Sequence, residues 1–230
     1  MSTEPTPDVS TLVVGVLGGT GPQGKGLAYR LSASGQEVLL GSRDAARAEL
    51  AADELNNLRK DAAGIDVTGA DNATVAEKSD IVIVAVPWDG HGALLESLRE
   101  QLAGKIVVDC VNPLGFDKQG AYALPVAEGS AAQQAAALLP DSRVTAAFHH
   151  ISAVLLLDPA VPSVDTDVLV LGDDRPATDL VAALAARIPG IRGIYAGRLR
   201  NAHQVEALTA NLISVNRRYK AHAGVRITDV

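Results

Sequence analysis

The apolar run Leu12–Leu17 leads directly into Gly19-x-Gly21-x-x-Gly24, and these glycines open an Ala- and Leu-rich stretch. Strand, then spaced glycines, then helix is the local order that a phosphate-binding turn requires. Gly19 is expected to allow a tight turn, Gly21 to let the backbone approach an anion, and Gly24 to let the helix pack close to the strand. Backbone N–H groups and the positive end of the helix would face a pyrophosphate. The feature thus predicts a dinucleotide-binding α/β chain, a doubly wound parallel (Rossmann) sheet.

The end of the next strand, Glu37–Leu40, predicts which dinucleotide is bound. About 20 residues past the glycines, NAD-binding folds place Asp or Glu against the ribose 2′-hydroxyl. This chain has Gly41-Ser42-Arg43 there, with Arg47 one helical turn further on. A hydroxyl and two guanidinium groups suit a 2′-phosphate, and a carboxylate would repel it. The reading is NADP(H). The alternative is that Arg43 and Arg47 are solvated charges, although cations in a first helical turn oppose the helix dipole.

Strand and helix patterns continue along the chain. Helices are expected over Pro22–Ala33, from Ser42 or Asp44 to about residue 60, and over Ala73–Lys78, His91–Leu102 and Ser130–Leu139. Strands are expected over Asp66–Gly69, Asp80–Val86, Lys105–Cys110 and Arg143–Phe148. The run DIVIVAV, Asp80–Val86, has the unbroken β-branched character of a strand buried on both faces. Residues 112–127 read as a loop. Residues 1–10 read as a loose polar tail, 11–155 as the nucleotide-binding domain and 156–230 as a small C-terminal α/β domain. The last helix, about Asn201–Tyr219, carries an apolar stripe of Val205, Leu208, Leu212, Val215 and Tyr219, which reads as core or dimer seam.

Composition narrows the class. With 47% apolar and 20% charged residues, 230 residues suffice for a sizeable core. A net charge of −7 argues against a general nucleic-acid binder. The single cysteine, Cys110, excludes an internal disulfide framework and suits a reducing cytoplasm. It lies in an apolar run and reads as a buried strand thiol. No run of 18 apolar residues predicts a membrane helix. Six Lys or Arg against Glu206 and Asp229 make residues 198–230 locally basic, which suggests an anionic ligand or simple surface scatter.

Ligands in such sheets bind beyond the carboxyl ends of the strands. Three segments belong there: Val86-Pro87-Trp88, Asn112-Pro113-Leu114 and His149-His150-Ile151-Ser152-Ala153. His149 and His150 are the candidates for proton handling, with structural histidines in a site wall as the alternative. A metal reading is poor, because adjacent histidines on a strand end point to opposite faces and no carboxylate or Cys sits at ligand spacing. The apolar wall of Pro87, Trp88, Ile151 and Ala153 suits stacking of a second planar ring on a nicotinamide. Such a site works by proximity and exclusion of water.

The segments VGVLGGTGPQGKGLAYRL, GSRDAAR, DIVIVAVPW, FHHISA and ALTANLISVNRRYKAHAGVRITD together resemble the NADPH-dependent coenzyme F420 reductases. The resemblance implies a homodimer that moves hydride between NADP(H) and the deazaflavin F420. It implies pyrophosphate contacts from Thr20, Gly21, Pro22 and Gln23, and 2′-phosphate contacts from Ser42, Arg43 and Arg47. It also implies a nicotinamide wall of Val86 and Pro87, with Ile151 and Ala153 near the two rings. Ser152 stands where some relatives have Pro, and His150 and Ser152 are its candidates for assisting the chemistry. Rival readings are a dehydrogenase or imine reductase acting on a small carbonyl or imine, a ferric reductase module, and a non-enzymatic NADPH sensor.

Overall fold

The computed structural model describes residues 6–59 and 63–230. In chain order its elements are β1 (Val13–Leu17), α1 (Pro22–Ala33), β2 (Glu37–Ser42), α2 (Ala45–Leu58), β3 (Thr68–Asp71), α3 (Asn72–Lys78), β4 (Ile81–Val84), α4 (Trp88–Ser97), α5 (Arg99–Leu102), β5 (Ile106–Asp109), β6 (Leu114–Asp117), β7 (Gly120–Ala123), α6 (Ala131–Leu138), β8 (Arg143–Ala146), α7 (Ala153–Leu157), β9 (Thr166–Gly172), α8 (Arg175–Ala186), β10 (Ile191–Gly197) and α9 (Ala202–Tyr219).

Eight strands form one sheet in the order β3-β2-β1-β4-β5-β8-β9-β10. The first six run parallel, with β1 paired to both β2 and β4, and this is the doubly wound arrangement. Every residue of β4 and β5 is buried, because helices cover both faces of the sheet. Leu27 and Leu31 of α1 and Val181 and Leu184 of α8 pack on one face. Leu95, Leu102, Ala131 and Val205, from α4, α5, α6 and α9, pack on the other. With few aromatic residues, this core is built from Ala, Val, Leu and Ile, and Phe148 is its one fully buried aromatic among the described residues.

Several expectations change against the structure. The strands of residues 156–230, read as a small α/β domain, join the main sheet. Strand β9 pairs antiparallel with β8, and β10 pairs parallel with β9, so both extend the main sheet. The all-apolar centre of β9 covers an edge that β8 would otherwise expose, which is how the fold manages that edge. Val9, in the expected loose tail, is buried, and its carbonyl accepts from Gln36 Nε2 at 3.0 Å. Residues 1–5 of that tail, and the expected end of α2 near residue 60, lie outside the described residues. The expected loop over 112–127 contains the antiparallel hairpin β6–β7, with Asp117 Oδ1 accepting from the Gln119 and Gly120 amides in its turn. The helix expected over His91–Leu102 starts earlier, at Trp88, and breaks at Leu98 into α4 and α5.

Helix α1 also holds the chain beyond β8. Arg30 is 7% exposed and donates to the carbonyls of Leu155, Leu156, Asp158 and Val161. A Cβ on Gly26 would come 2.6 Å from Leu156 Cβ, so α1 and α7 cross closely only because residue 26 is Gly. These contacts fix the segment that follows β8 beside the glycine-rich turn.

Candidate functional site

The turn after β1 is built on one left-handed residue and two close approaches. Gly18 takes a positive φ of 65°, so the left-handed residue of the turn precedes the expected Gly19 by one. Gly19 instead packs under β2, where a Cβ would meet Leu40 Cδ1 at 2.4 Å. A Cβ on Gly24 would meet Gly19 Cα at 2.6 Å, which explains the third glycine as a packing requirement. Gly21 differs from both. The nearest atom to a Cβ there is 3.9 Å away, so its surface faces open space. Gly21 is also the N-cap of α1, and no side chain caps that helix. Unspent N–H groups at a helix start form an anion site.

A cavity of about 690 Å³ begins at this turn. Gly18, Thr20 and Gly21 line one end, and Ser42, Arg43 and Arg47 line another. Arg43 and Arg47 are exposed, and among the described residues neither forms an ion pair. The nearby carboxylate of Asp44 is committed to capping α2 through the Ala46 amide at 3.0 Å. Ser42 Oγ accepts from the Asp44 amide at 3.4 Å. Val86 and Pro87, just beyond β4, line the cavity further along.

Residues not singled out from the sequence complete this cavity. Asn72 lines it and accepts from the Gly18 amide at 3.3 Å, fixing the turn from the neighbouring β3–α3 junction. Asp89, Gly90, Ala93, Leu94 and Ser97 present one face of α4 to it. Their signal was positional: a helix that begins directly at the carboxyl end of β4 must run along the ligand side of the sheet.

Other expected residues lie elsewhere. Gln23 turns its side chain away from the anion site and donates to the Phe148 carbonyl at 3.1 Å, bracing the segment after β8. Trp88 does not line the cavity; its ring lies 5.4 Å from that of His91. Ile151 is 6% exposed and belongs to the core beneath α1 and α7, while half-buried Ala153 begins α7. Ser152 Oγ lies 3.3 Å from His222 Nδ1, on the segment after α9.

The two histidines are held in their neutral forms. His150 is buried, and its Nε2 donates to the Asp167 carbonyl at 2.8 Å. Burial lowers its pKa. Burial pushes the His149 imidazole down to about 4, and neither ring nitrogen has a partner among the described residues. The His149 carbonyl is tied instead, accepting from Asn112 Nδ2 at 2.9 Å and Thr209 Oγ1 at 3.0 Å. A neutral, enclosed imidazole suits a site wall better than a proton relay at neutral pH. Cys110 is likewise inert: burial raises its pKa, and its thiol donates to the Val84 carbonyl at 3.0 Å. Among the described residues no three His, Cys, Asp or Glu cluster as metal ligands, and no helix is long and apolar enough to cross a membrane.

The basic C-terminal stretch divides in two. Arg226 pairs with Asp165 and Asp167, and Arg198 lies 3.5 Å from Asp173. Arg217 and Arg218 line a groove of about 580 Å³ between α9 and the β6–β7 hairpin. The apolar stripe of α9 also divides. Val205 is buried and Leu208 and Leu212 are half-buried, but Val215 and Tyr219 are exposed, Tyr219 at 73%.

Comparison with known proteins agrees with this geometry. Residues 13–113 match the family described as NADP oxidoreductase, coenzyme F420-dependent. The F420-dependent NADP reductase of Methanothermobacter marburgensis is 42% identical, over 94% of this chain and 98% of its own length. That of Methanocaldococcus jannaschii is 38% identical over the same shares. A solved Arthrobacter structure assigned as an F420-dependent NADP reductase superposes with a TM-score of 0.77 at 28% identity, covering 94% of this chain and 99% of that one. Rat metalloreductase STEAP3 is 32% identical over 87% of this chain, which spans only 37% of that protein.

Proposed function

This chain belongs to the F420-dependent NADP reductase family, and we propose how its residues divide the work of that reaction. It is an oxidoreductase that transfers hydride between NADP(H) and coenzyme F420. The observation that carries the division of roles is the single cavity joining the uncapped α1 N-terminus, the Ser42–Arg43–Arg47 cluster and the Val86–Pro87 turn.

The residues present fit NADP(H). The open surface at Gly21 and the free amides of α1 hold the pyrophosphate, with Thr20 beside them and Pro22 presetting the first helical turn. Ser42, Arg43 and Arg47 hold the 2′-phosphate and so set the preference for NADPH over NADH. Val86 and Pro87 support the nicotinamide. Ile151, Ser152 and Ala153, held by α1 through the Phe148 and Leu156 carbonyls, wall the deazaflavin side.

When bound, the two cofactors would supply the redox chemistry, direct hydride transfer with uptake of one proton in the direction of F420 reduction. The protein aligns the rings and excludes water, which accounts for apolar walls without an acid–base pair. His150 positions its segment through Asp167 rather than moving a proton. The domain reading places the dinucleotide in residues 11–155 and the deazaflavin cleft against residues 156–230. A homodimer through the exposed Val215 and Tyr219 end of α9, a cytoplasmic location, and no nucleic-acid partner complete the proposal. Light scattering of the purified protein is expected to give twice the chain mass; a monomeric mass rejects the dimer.

The test of the reaction is purified protein with NADPH and oxidised F420, followed by loss of deazaflavin absorbance, with NADH as control. Rapid loss with NADPH and slow loss with NADH is expected. Equal rates with both would remove the role given to Ser42, Arg43 and Arg47. No loss while NADPH still binds would point to a carbonyl or imine substrate.

A further inference from the structure

Helix α4 forms a long wall of the cavity, yet little in its sequence supports it. It starts on Pro87 with no side-chain cap, and Gly90 and Gly92 weaken its interior. Of its ten residues only His91 and Leu95 are buried. The helix therefore depends on what those two side chains meet.

His91 is completely buried, and both of its ring nitrogens meet acceptors. Nε2 lies 2.5 Å from Asp109 Oδ2, itself completely buried at the carboxyl end of β5. Nδ1 lies 3.0 Å from Gln134 Oε1 on α6. The Gln134 amide is oriented by its Nε2, which donates to Glu128 at 3.3 Å. A neutral imidazole has one N–H, so satisfying both acceptors requires the doubly protonated ring. Burial alone would lower the His91 pKa, but the Asp109 and Gln134 bonds outweigh it and hold it above its ordinary value. Asp109 uses its other oxygen to accept from the Val111 amide at 3.0 Å.

The other ionisable groups around the pair are consistent with a retained cation. Glu206 of α9 is 2% exposed and accepts from the Ala131 and Ala132 amides at the start of α6. Burial pushes it up to about 7, and its ionised form favours a charged His91. His149, at the end of β8, is neutral and adds no competing charge. Trp88, one turn before His91, places its ring 5.4 Å away.

We propose that the buried His91–Asp109 ion pair is the positioning device of the cavity, with a protonated His91 bolting α4 to the sheet so that its outer face meets NADP(H). His91 touches no cofactor and acts through α4. The inference rests on the reading that this cavity holds NADP(H).

Trp88 is the chain's single tryptophan, so tryptophan emission comes from one ring, 5.4 Å from that of His91. An imidazolium beside an indole quenches its fluorescence more than a neutral imidazole does. In the ligand-free protein, Trp88 emission is expected to stay low at neutral pH and rise as His91 loses its proton at alkaline pH. H91Q is expected to abolish that transition, and D109N to move its midpoint to lower pH. In turnover, H91Q is expected to raise the NADPH KM about tenfold, the value of one charge-assisted bond, with kcat changed far less and the NADPH-over-NADH preference kept. Wild-type emission without such a transition, or an NADPH KM unchanged in H91Q, would overturn the proposal. If H91Q does not fold, the wild-type and D109N emission profiles decide it. R43A separates the two levels: if it leaves the NADPH-over-NADH preference intact, the cavity reading fails, while the Trp88 titration still judges the ion pair.

Discussion

The two ends of the sheet are held by different means. On the β3–β2–β1 side, short-range features dominate: a glycine turn, an uncapped helix start and a Ser-Arg pair, all within one strand–helix–strand unit. At the β9–β10 end, the structure depends on a long-range charge cluster. Asp167 on β9 is completely buried and accepts from Arg192 on β10, with Nε and Nη2 at 2.8 and 2.7 Å. It also accepts from Arg226 at 2.6 Å and from the Ile227 amide at 2.7 Å, which straps the segment after α9 across the strand. The first end leaves its polar groups unspent, and the second satisfies its own. Unspent donors indicate binding, and satisfied buried charges indicate architecture.

The sharpest way to break this contrast is Asp167→Asn. It removes the charge that two arginines share, and folding stability is expected to fall by about 3 kcal/mol. That is the low end for a broken buried pair, because Arg192 and Arg226 keep partial access to water. Urea unfolding measures it. The NADPH-to-NADH preference should not change, and a large change would mean the two ends are not separable.

Arg43→Ala is the converse. Loss of one charge-assisted contact is worth about 1.5–3 kcal/mol, so NADPH should bind about 10- to 150-fold more weakly, with NADH binding and the urea midpoint nearly unchanged. Titration with each cofactor tests this, and equal weakening of both would place Arg43 at the pyrophosphate or in the fold.

The smallest expected effect is the pH dependence of stability, because buried groups oppose each other. His149 titrates near 4 when folded against 6.5 unfolded, so its contribution rises with pH between those values. Glu206 titrates near 7 when folded against 4.5 unfolded, so its contribution falls between those values. Burial also lowers the His150 pKa, so His150 adds to the rise below 6.5, and Glu206 offsets only part of the histidine slope from about pH 4.5 to 6.5. Above 6.5, Glu206 and then His91, whose pKa is raised, both lose stability as pH increases. Urea midpoints are expected to climb gently up to about pH 6.5 and to decline on the alkaline side. A midpoint that does not decline above about pH 6.5 would mean that Glu206 and His91 are not held protonated in the folded protein.

How much could be read from the sequence follows the same division. The β1–α1–β2 unit and the buried strands β4 and β5 were legible, because glycine spacing and unbroken β-branched runs are local signals. The Ser42, Arg43 and Arg47 cluster that lines the cavity was legible because it lies in one short segment. The β6–β7 hairpin was hidden in a Gly- and Pro-rich stretch, where its pairing depends on α9 packing against it. The place of Gln23 and Trp88 in motifs does not reveal that their side chains meet the Phe148 carbonyl and the His91 ring. Asn72, Asp109 and Glu206 carry no motif at all.

The doubly wound class, the glycine-rich turn and the Ser42–Arg43–Arg47 cluster are local properties of the chain, since each follows from residues within about 30 positions of one another. Long-range packing sets that β9 and β10 join the same sheet, that burial lowers the pKa of both adjacent histidines, and that His91 is paired with Asp109. Those outcomes depend on which groups, distant along the chain, are shut away from water together. Burial of that kind is a property of the folded whole.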